Sequence, residues 1–369
     1  MKRLTLFIGL WGLLLGAAIA NNLRLANLQL LDPQTLGVEL RWENSWRLSM
    51  APGNHDAVWL FGKYRLPGGG WQPLDLRVLP QAFAADTLLE VLPVSDGKGV
   101  FVRRSAPGSG DLPWVRLELR LAQALPVGTV DLSVYGIEMV YVPEGAFWLG
   151  DSSSYHHFRQ AENGAPYRVA DESLVPAAVL SVGEEAVLGG DIPATYPKGF
   201  AGFYAMKYEL SQAQYRDFLN TLSYEQQVVR TTASPGAPVG TYVLPINPAF
   251  NQRNGLAIAQ PGSPGQPAVY ACEANPDGQY DAPDDGQTRA CSLLSWDDLL
   301  AYLDWAGLRP LTEWEYEKAC RGPEAPLPGG LAWGTPQAVD ANSLLFDGTA
   351  AETVSEQATA TAGLASHGY

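Results

Sequence analysis

The sequence predicts an α+β protein, with strands in the first part of the chain and two short helices in tandem over residues 295–322. Apolar residues alternate with polar ones near the N-terminus, which is typical of half-buried strands. Glycine (38) and proline (28) are frequent and follow no period, which favours strands joined by long loops. With 369 residues, 46% of them hydrophobic, the chain is long enough for two or three domains.

The first twenty residues have the pattern of a secretory signal peptide. Lys2 and Arg3 precede an apolar run over residues 4–15, and Ala18 and Ala20 stand where a signal peptidase reads small side chains. We expect residues 1–20 to be removed and the protein to be secreted, periplasmic or at the cell surface. A retained anchor is the alternative, although the run is short for a membrane helix. After cleavage we expect no membrane span.

Residues 21–135 predict an antiparallel β-sandwich of the immunoglobulin-like kind, because at least six short strands occur there without a convincing helix. Further strands are expected over residues 23–31, 57–66 and 99–103. The residues expected on the buried side alternate with polar neighbours and are Val38, Leu40, Trp42, Val115, Leu117, Leu119, Leu121, Val130, Leu132 and Val134.

A second domain is expected from residue 136 to residue 369. Two apolar segments flank Pro143-Glu144-Gly145 and predict an opening hairpin, and residues 203–209 predict a strand. Ser211 and Gln214 form a capping-box pattern in front of an amphipathic helix.

The tandem helices have start and stop residues at each end. Ser295 with Asp298 predicts the first N-terminus, and Gly307 predicts the end of that helix. Its buried face is expected to contain Trp296, Leu299, Leu300 and Leu303.

Thr312 with Glu315 repeats the capping pattern for the second helix, which Gly322 ends. Its buried stripe is expected to be Tyr316, Ala319 and Cys320. Glu317 can pair with Arg321 one turn later.

The acidic segment 273–284 resembles the order of oxygen ligands in a calcium-binding loop. The predicted calcium ligands are Glu273, Asn275, Asp277, Asp281 and Asp284. The alternative is a solvated acidic turn, because no pair of helices flanks the segment. Cys272 and Cys291 bracket it, and in an oxidising compartment we expect them to form a disulfide, with two free thiols as the alternative. Cys320 is then the unpaired cysteine, expected to be buried.

Four segments taken in order, MVYVPEGAFWLGD, FYAMKYELSQAQYRDFL, LLSWDDLLAYLDWAGLRPLTEWEYEKACRG and AWGT, resemble the formylglycine-generating-enzyme or sulfatase-modifying-factor domain. The resemblance implies a C-type-lectin-like fold over residues 136–369. The cysteine pair and the Gly-Asn-Val-Trp-Glu-Trp-like segment of the catalytic branch are missing, so we expect a C-terminally incomplete domain and no catalytic or cofactor-binding residues in this chain. Arg309-Pro310-Leu311, in front of Thr312 and Glu313, resembles the central block of a secreted branch of this family. The variable proteins of diversity-generating retroelements also share the lectin-like fold.

The resemblance implies two alternative functions. The first is an exported binding or display protein whose partner is an unknown protein or glycan. The second is copper-dependent cysteine oxidation, with the catalytic segment beyond residue 369. A net charge of -15 disfavours nucleic acid as a partner. Adjacent His156 and His157 make a poor chelating pair, since neighbouring side chains on an extended segment point to opposite sides.

Overall fold

The computed structural model describes residues 22–51, 53–77, 88–126, 130–151, 158–182, 186–187, 189–244, 253–331, 335, 337–340, 343–346, 353–356 and 362–365. The predicted signal peptide, His156, His157 and most of the AWGT segment lie outside these residues. No helix in the described ranges is long and apolar enough to cross a membrane.

Ten strands make up the N-terminal part of the fold. In chain order they are β1 (Arg24–Asp32), β2 (Thr35–Arg41), β3 (Ser45–Arg47), β4 (His55–Arg65), β5 (Gln72–Pro73), β6 (Leu89–Pro93), β7 (Val100–Arg104), β8 (Gly108–Gly110), β9 (Val115–Arg120) and β10 (Asp131–Val142).

The remaining strands are shorter. They are β11 (Phe147–Leu149), β12 (Phe158–Gln160), β13 (Tyr167–Val169), β14 (Leu180–Val182), β15 (Ala186–Val187), β16 (Phe203–Met206), β17 (Leu256–Gln260), β18 (Val269–Cys272), β19 (Gln337–Asp340), β20 (Leu344–Leu345), β21 (Thr353–Val354) and β22 (Ala362–Ala365). The helices are α1 (Gln212–Leu219), α2 (Tyr224–Val228), α3 (Trp296–Ala306) and α4 (Glu313–Arg321), with a short 3-10 helix over Ala177–Val179.

Two antiparallel sheets pack face to face in the N-terminal part. Sheet A has the strand order β1-β2-β9, and sheet B has the order β16-β10-β4-β3-β8, with β5 and β7 also pairing with β4 and β6 pairing with β7. Apolar side chains from both sheets form the core between them. Its fully buried members include Leu36, Val38, Leu40, Val58, Leu60, Val100, Val102, Val115, Leu117 and Leu119. The predicted sandwich strands over residues 23–31, 57–66 and 99–103 correspond to β1, β4 and β7.

Sheet B is covered on its second face by helices. Trp59 and Phe61 of β4 and Ile137 of β10 lie in one buried cluster with residues of α1, α3 and the β17–β18 hairpin. Nine consecutive residues of β4, from His55 to Lys63, are therefore buried. This strand does not show the one-sided pattern of a sandwich exposed to water, because both of its faces are packed.

The expected boundary between residues 135 and 136 falls inside β10. Eleven residues of this strand, from Asp131 to Tyr141, pair in register with β4, and its C-terminal part also pairs with β16. The predicted hairpin around Pro143-Glu144-Gly145 is wrong, since β11 pairs with β13 instead of with β10. The end of β10 already has a partner on each side, so β11 joins a different sheet.

The predicted faces of the tandem helices need correction. Trp296 is 61% exposed and Leu300 is exposed, whereas Leu303 is buried as predicted, together with Tyr302 and Ala306. In α4 the expected stripe is wrong: Tyr316, Ala319 and Cys320 are exposed, while Trp314, Glu315 and Lys318 are buried. Burial of two charged residues is possible because each is paired with other groups, so apolar spacing identified the wrong face.

The helix starts and the ion pair within α4 are confirmed. Capping boxes formed by both the side chain and the backbone are present at Ser211, Ser295 and Thr312. The carboxylate of Glu317 accepts from Arg321 at 2.7 Å. Trp314 anchors a third buried cluster between α4 and strands β11 to β14.

Candidate functional site

The end of α3 is capped by side chains of β4. The indole N–H of Trp59 donates to the carbonyl of Ala306 at 2.7 Å, and Nζ of Lys63 donates to the carbonyl of Trp305 at 2.6 Å. The last carbonyls of a helix have no partner within the helix, so these two contacts satisfy groups that burial would otherwise make costly.

Gly307 ends α3 in the left-handed conformation, with φ of 70°. Its N–H bonds to Asp304, and the N–H of Leu308 reaches back to the carbonyl of Leu303 at 2.7 Å. This bonding pattern is a Schellman motif, which fixes where the helix ends relative to sheet B.

A cavity of about 690 Å³ lies where α3 meets sheet B and the residues around α2. We call it the interlayer cleft. Its volume is in the range of sites for small ligands. The aromatic residues of its lining are Phe61, Trp71, Phe218 and Trp305, and the charged residues are Lys63, Asp96, Lys98, Arg230 and Asp304.

Lys63 is 8% exposed and lines this cleft from β4. Its ammonium lies 5.4 Å from the ring centroid of Trp305 and 5.7 Å from that of Phe61. Burial lowers the pKa of Lys63 to about 8; the carboxylate of Asp304 raises this pKa and the ammonium of Lys98 lowers it further. At neutral pH a part of the population therefore carries a neutral amine.

Trp305 forms the opposite wall from α3. Its ring packs edge-on against Phe61, Tyr135 and Phe218. The indole N–H is buried and has no hydrogen-bond partner among the described residues. A buried donor without an acceptor is unusual in a folded protein and calls for a water or a ligand group.

The other charged residues of the cleft differ in how firmly they are held. Lys98 forms an ion pair with Asp75 at 2.5 Å, and Arg230 forms one with Asp298 at 3.1 Å. Asp304 is exposed. The cleft thus combines aromatic rings with acidic and basic groups.

The residues predicted to bind calcium take part in hydrogen bonds within the protein. Oδ1 of Asp281 accepts from Arg216 at 2.6 Å and from the backbone of Cys272, and Glu273 accepts from the backbone of Gly278. Asn275 donates to Asp284 at 2.9 Å.

Asp277 accepts from both the backbone and the side chain of Gln279. In the described parts of the chain no three His, Cys, Asp or Glu side chains are grouped so that they could hold a metal ion. In the structure these side chains organise the loop through hydrogen bonds, and calcium binding stays a prediction.

The cysteines are free thiols in the structure, so the predicted bridge between Cys272 and Cys291 is not formed there. Burial raises the pKa of both thiols to about 12, and the amide of Asn254 donates to Sγ of Cys291 at 3.9 Å. Cys320, expected to be buried, is exposed.

The sequence missed Lys63 and Trp71 as site residues and treated the tryptophans mainly as core. One signal was available: Lys63 interrupts an apolar strand segment, and a lysine there must have a partner or line a cavity. Trp305 is both a core residue and a wall of the cleft, which periodicity cannot distinguish.

Comparisons with known proteins support the sequence resemblance. The family model described as sulfatase-modifying factor enzyme 1-like domain matches residues 136–344. A formylglycine-generating enzyme of Thermomonospora curvata is 26% identical over 172 residues, which cover 42% of this chain and 52% of that protein. The formylglycine-generating enzyme of Bos taurus is 27% identical over 184 residues, or 47% of each chain. The chain spans about half the length of these curated relatives. No solved structure matches.

Proposed function

Because the chain belongs to the sulfatase-modifying factor enzyme 1-like domain family, we propose that this member uses the family scaffold as an exported binding or display protein. The interlayer cleft is the observation that carries the proposal. It is concave, large enough for a small ligand and lined by both rings and charged groups, which is the usual composition of a binding site.

A sugar unit of a glycan is the ligand that this lining suits best. A sugar ring has apolar C–H faces that pack on aromatic rings and hydroxyls that bond to acidic, basic and amide groups. Trp71 and Trp305 supply rings, while Asp304, Gln226 and Thr221 supply polar groups around them. The buried N–H of Trp305 would gain an acceptor from a hydroxyl oxygen.

Export is part of the proposal and is supported by the signal-peptide pattern of residues 1–20. Glycans are displayed mainly outside the cytoplasm, so a protein that binds them has to be exported. N-terminal sequencing of the native protein tests this point. A sequence that starts at Asn21 is expected, and a retained Met1 would contradict export by cleavage.

The rival function is oxidation of a sulfatase cysteine to formylglycine, which the names of both relatives suggest. The resemblance to this family implies that the oxidation would depend on copper. From the sequence we expect the cysteines for this chemistry beyond residue 369, so the raised pKa of Cys272 and Cys291 shows only that these two thiols hold almost no thiolate at neutral pH. Incubation with copper and a cysteine-containing sulfatase-type peptide tests the rival, and formation of an aldehyde would overturn the binding proposal.

A glycan array probed with the labelled protein tests the binding proposal directly. Trp71→Ala removes a ring of the cleft that belongs to none of the buried clusters, so we expect binding about tenfold weaker or more, as for a central aromatic contact. Trp296→Ala is the matched control, because Trp296 is 61% exposed and outside the cleft. An array without bound glycan, or equal losses in both variants, would contradict the proposal.

A further inference from the structure

Among the residues that the structure describes, three lysines are deeply buried, and their surroundings differ. Nζ of Lys198 donates to the carbonyls of Glu172, Pro193 and Tyr196, and Nζ of Lys318 donates to those of Pro143, Gly199 and Phe200. An ammonium has three N–H groups, so both of these lysines are fully satisfied by backbone oxygens.

Lys63 has one such bond among the described contacts, to the carbonyl of Trp305. Its amine lies between the rings of Phe61 and Trp305 and at the lining of a cavity, whereas a carbonyl cage encloses the other two. Lys63 is thus the buried lysine that has room for a reaction partner.

We propose that Lys63 is a carbonyl-reactive amine that forms a reversible imine with an aldehyde group of a ligand held in the interlayer cleft. Aldehydes occur in open-chain sugars and on aromatic rings, and both classes suit the lining. The inference rests on the proposed binding function for its ligand, but it concerns the chemistry of one side chain of the cleft.

The step balances without an oxidant or a reductant. The lone pair of the neutral Lys63 nitrogen forms a bond to the carbonyl carbon, and the π electrons of the carbonyl bond move to its oxygen. Proton transfer gives a neutral carbinolamine. Its hydroxyl takes a proton from solvent and leaves as water, which breaks the C–O bond and gives a protonated imine. This product retains one N–H, which can still donate to the carbonyl of Trp305.

The charges around Lys63 suit both states of the nitrogen. Burial lowers its pKa, so a neutral amine is available near neutral pH, and the ammonium of Lys98 acts in the same direction. The carboxylate of Asp304, from α3, favours the cationic imine. Asp96 and Arg230 are the other charged groups of the lining, and Arg230 is already paired with Asp298.

The test uses 4-formylbenzoate as the aldehyde and cyanoborohydride to reduce any imine to a stable amine. Peptide mapping by mass spectrometry then gives the extent of labelling at Lys63, Lys98, Lys198, Lys207 and Lys318. At pH 7.5 we expect labelling of Lys63 about tenfold or more above that of Lys98, whose side chain is 42% exposed, because burial lowers the pKa of Lys63 and leaves more neutral amine there. The rate at Lys63 should reach half of its maximum near pH 8.

Two variants complete the test. Lys63→Arg keeps the positive charge and cannot form an imine, and it should leave labelling of the other lysines unchanged. Lys207→Arg, at a residue outside the lining of the cleft, should leave labelling of Lys63 in place. Uniform labelling, dominant labelling of Lys98, or a lack of labelling at Lys63 would overturn the inference. The glycan array with the Trp71→Ala variant judges the binding function separately, so the two proposals can fail independently.

Discussion

His55 is a buried histidine at the start of β4, and its burial keeps it neutral. Burial is the main cause that lowers its pKa to about 4, while Arg103 and Arg47 lower it further and Glu90 opposes them. Nη1 of Arg103 lies 3.0 Å from Nε2 of the ring, and the hydroxyl of Tyr204 lies 3.1 Å from the same atom. A neutral ring can accept a hydrogen bond at Nε2, whereas a charged ring cannot.

The stability of the fold should therefore decrease in mild acid. Because the ordinary pKa of histidine, 6.5, exceeds the value of about 4 in the folded state, the unfolded chain binds the extra proton first. The stabilisation from a neutral His55 is present above about pH 6.5 and is lost as the pH falls toward 4. His55→Gln should flatten this dependence, and urea unfolding at pH 7, 6, 5 and 4 measures it. A constant difference between the two proteins across this range would contradict the prediction.

The three thiols should differ in reactivity. Burial and the raised pKa of Cys272 and Cys291 leave almost no thiolate at neutral pH, while Cys320 is exposed on α4. Iodoacetamide should therefore modify Cys320 in the native protein and modify the other two only after unfolding, as peptide mapping would show. Rapid modification of Cys272 in the native protein would refute this ranking, and a Cys272–Cys291 disulfide in the exported protein would support the sequence prediction instead.

At the scale of elements, α4 shows how a charged residue holds loops together. Lys318 is 4% exposed and binds the carbonyls of Pro143, Gly199 and Phe200, which lie in segments before β11 and before β16. One side chain of the helix thus ties two loops to it.

Lys318→Met should destabilise the protein by about 3 kcal/mol, because it leaves several buried carbonyls without donors. Lys98→Met is the control: Lys98 is 42% exposed, and its loss should change the free energy of unfolding by about 0.5 kcal/mol or less. Chemical unfolding of the two variants and the wild type measures both values. Equal effects of the two substitutions would show that the carbonyl contacts do not stabilise the fold.

The helix starts and most strands of the N-terminal part could be predicted because they depend on local chemistry. Ser295 caps α3 through contacts within the first turn of the helix. In β9 the buried residues Val115, Leu117 and Leu119 alternate with polar residues. The buried face of α4 could not be predicted, since burial of Lys318 depends on carbonyls about 120 and 175 residues away in sequence. The partner of β11 was missed for the same reason. The cleft depends on β4 meeting α3, a contact between residues more than 240 apart.

At the scale of the whole molecule, sheet B joins the N-terminal sandwich to the family region. One of its faces packs on sheet A, and the other packs on α1 and α3. Strand β10 belongs to both parts, since it pairs with β4 along eleven residues and with β16 along four. The interlayer cleft exists only where these layers meet, so the proposed binding function depends on their remaining together.

The central claim is that sheet B joins the sandwich and the family region into one unit. Equilibrium unfolding in urea, followed by pulsed hydrogen exchange and mass spectrometry, tests it most directly. Peptides from β2 and β9 report on the sandwich, and peptides from α1 and β18 report on the family region. Since both share the two-sided burial of β4, they should become labelled at the same urea midpoint, as one cooperative unit. Two separate midpoints would contradict the shared sheet and the cleft that depends on it.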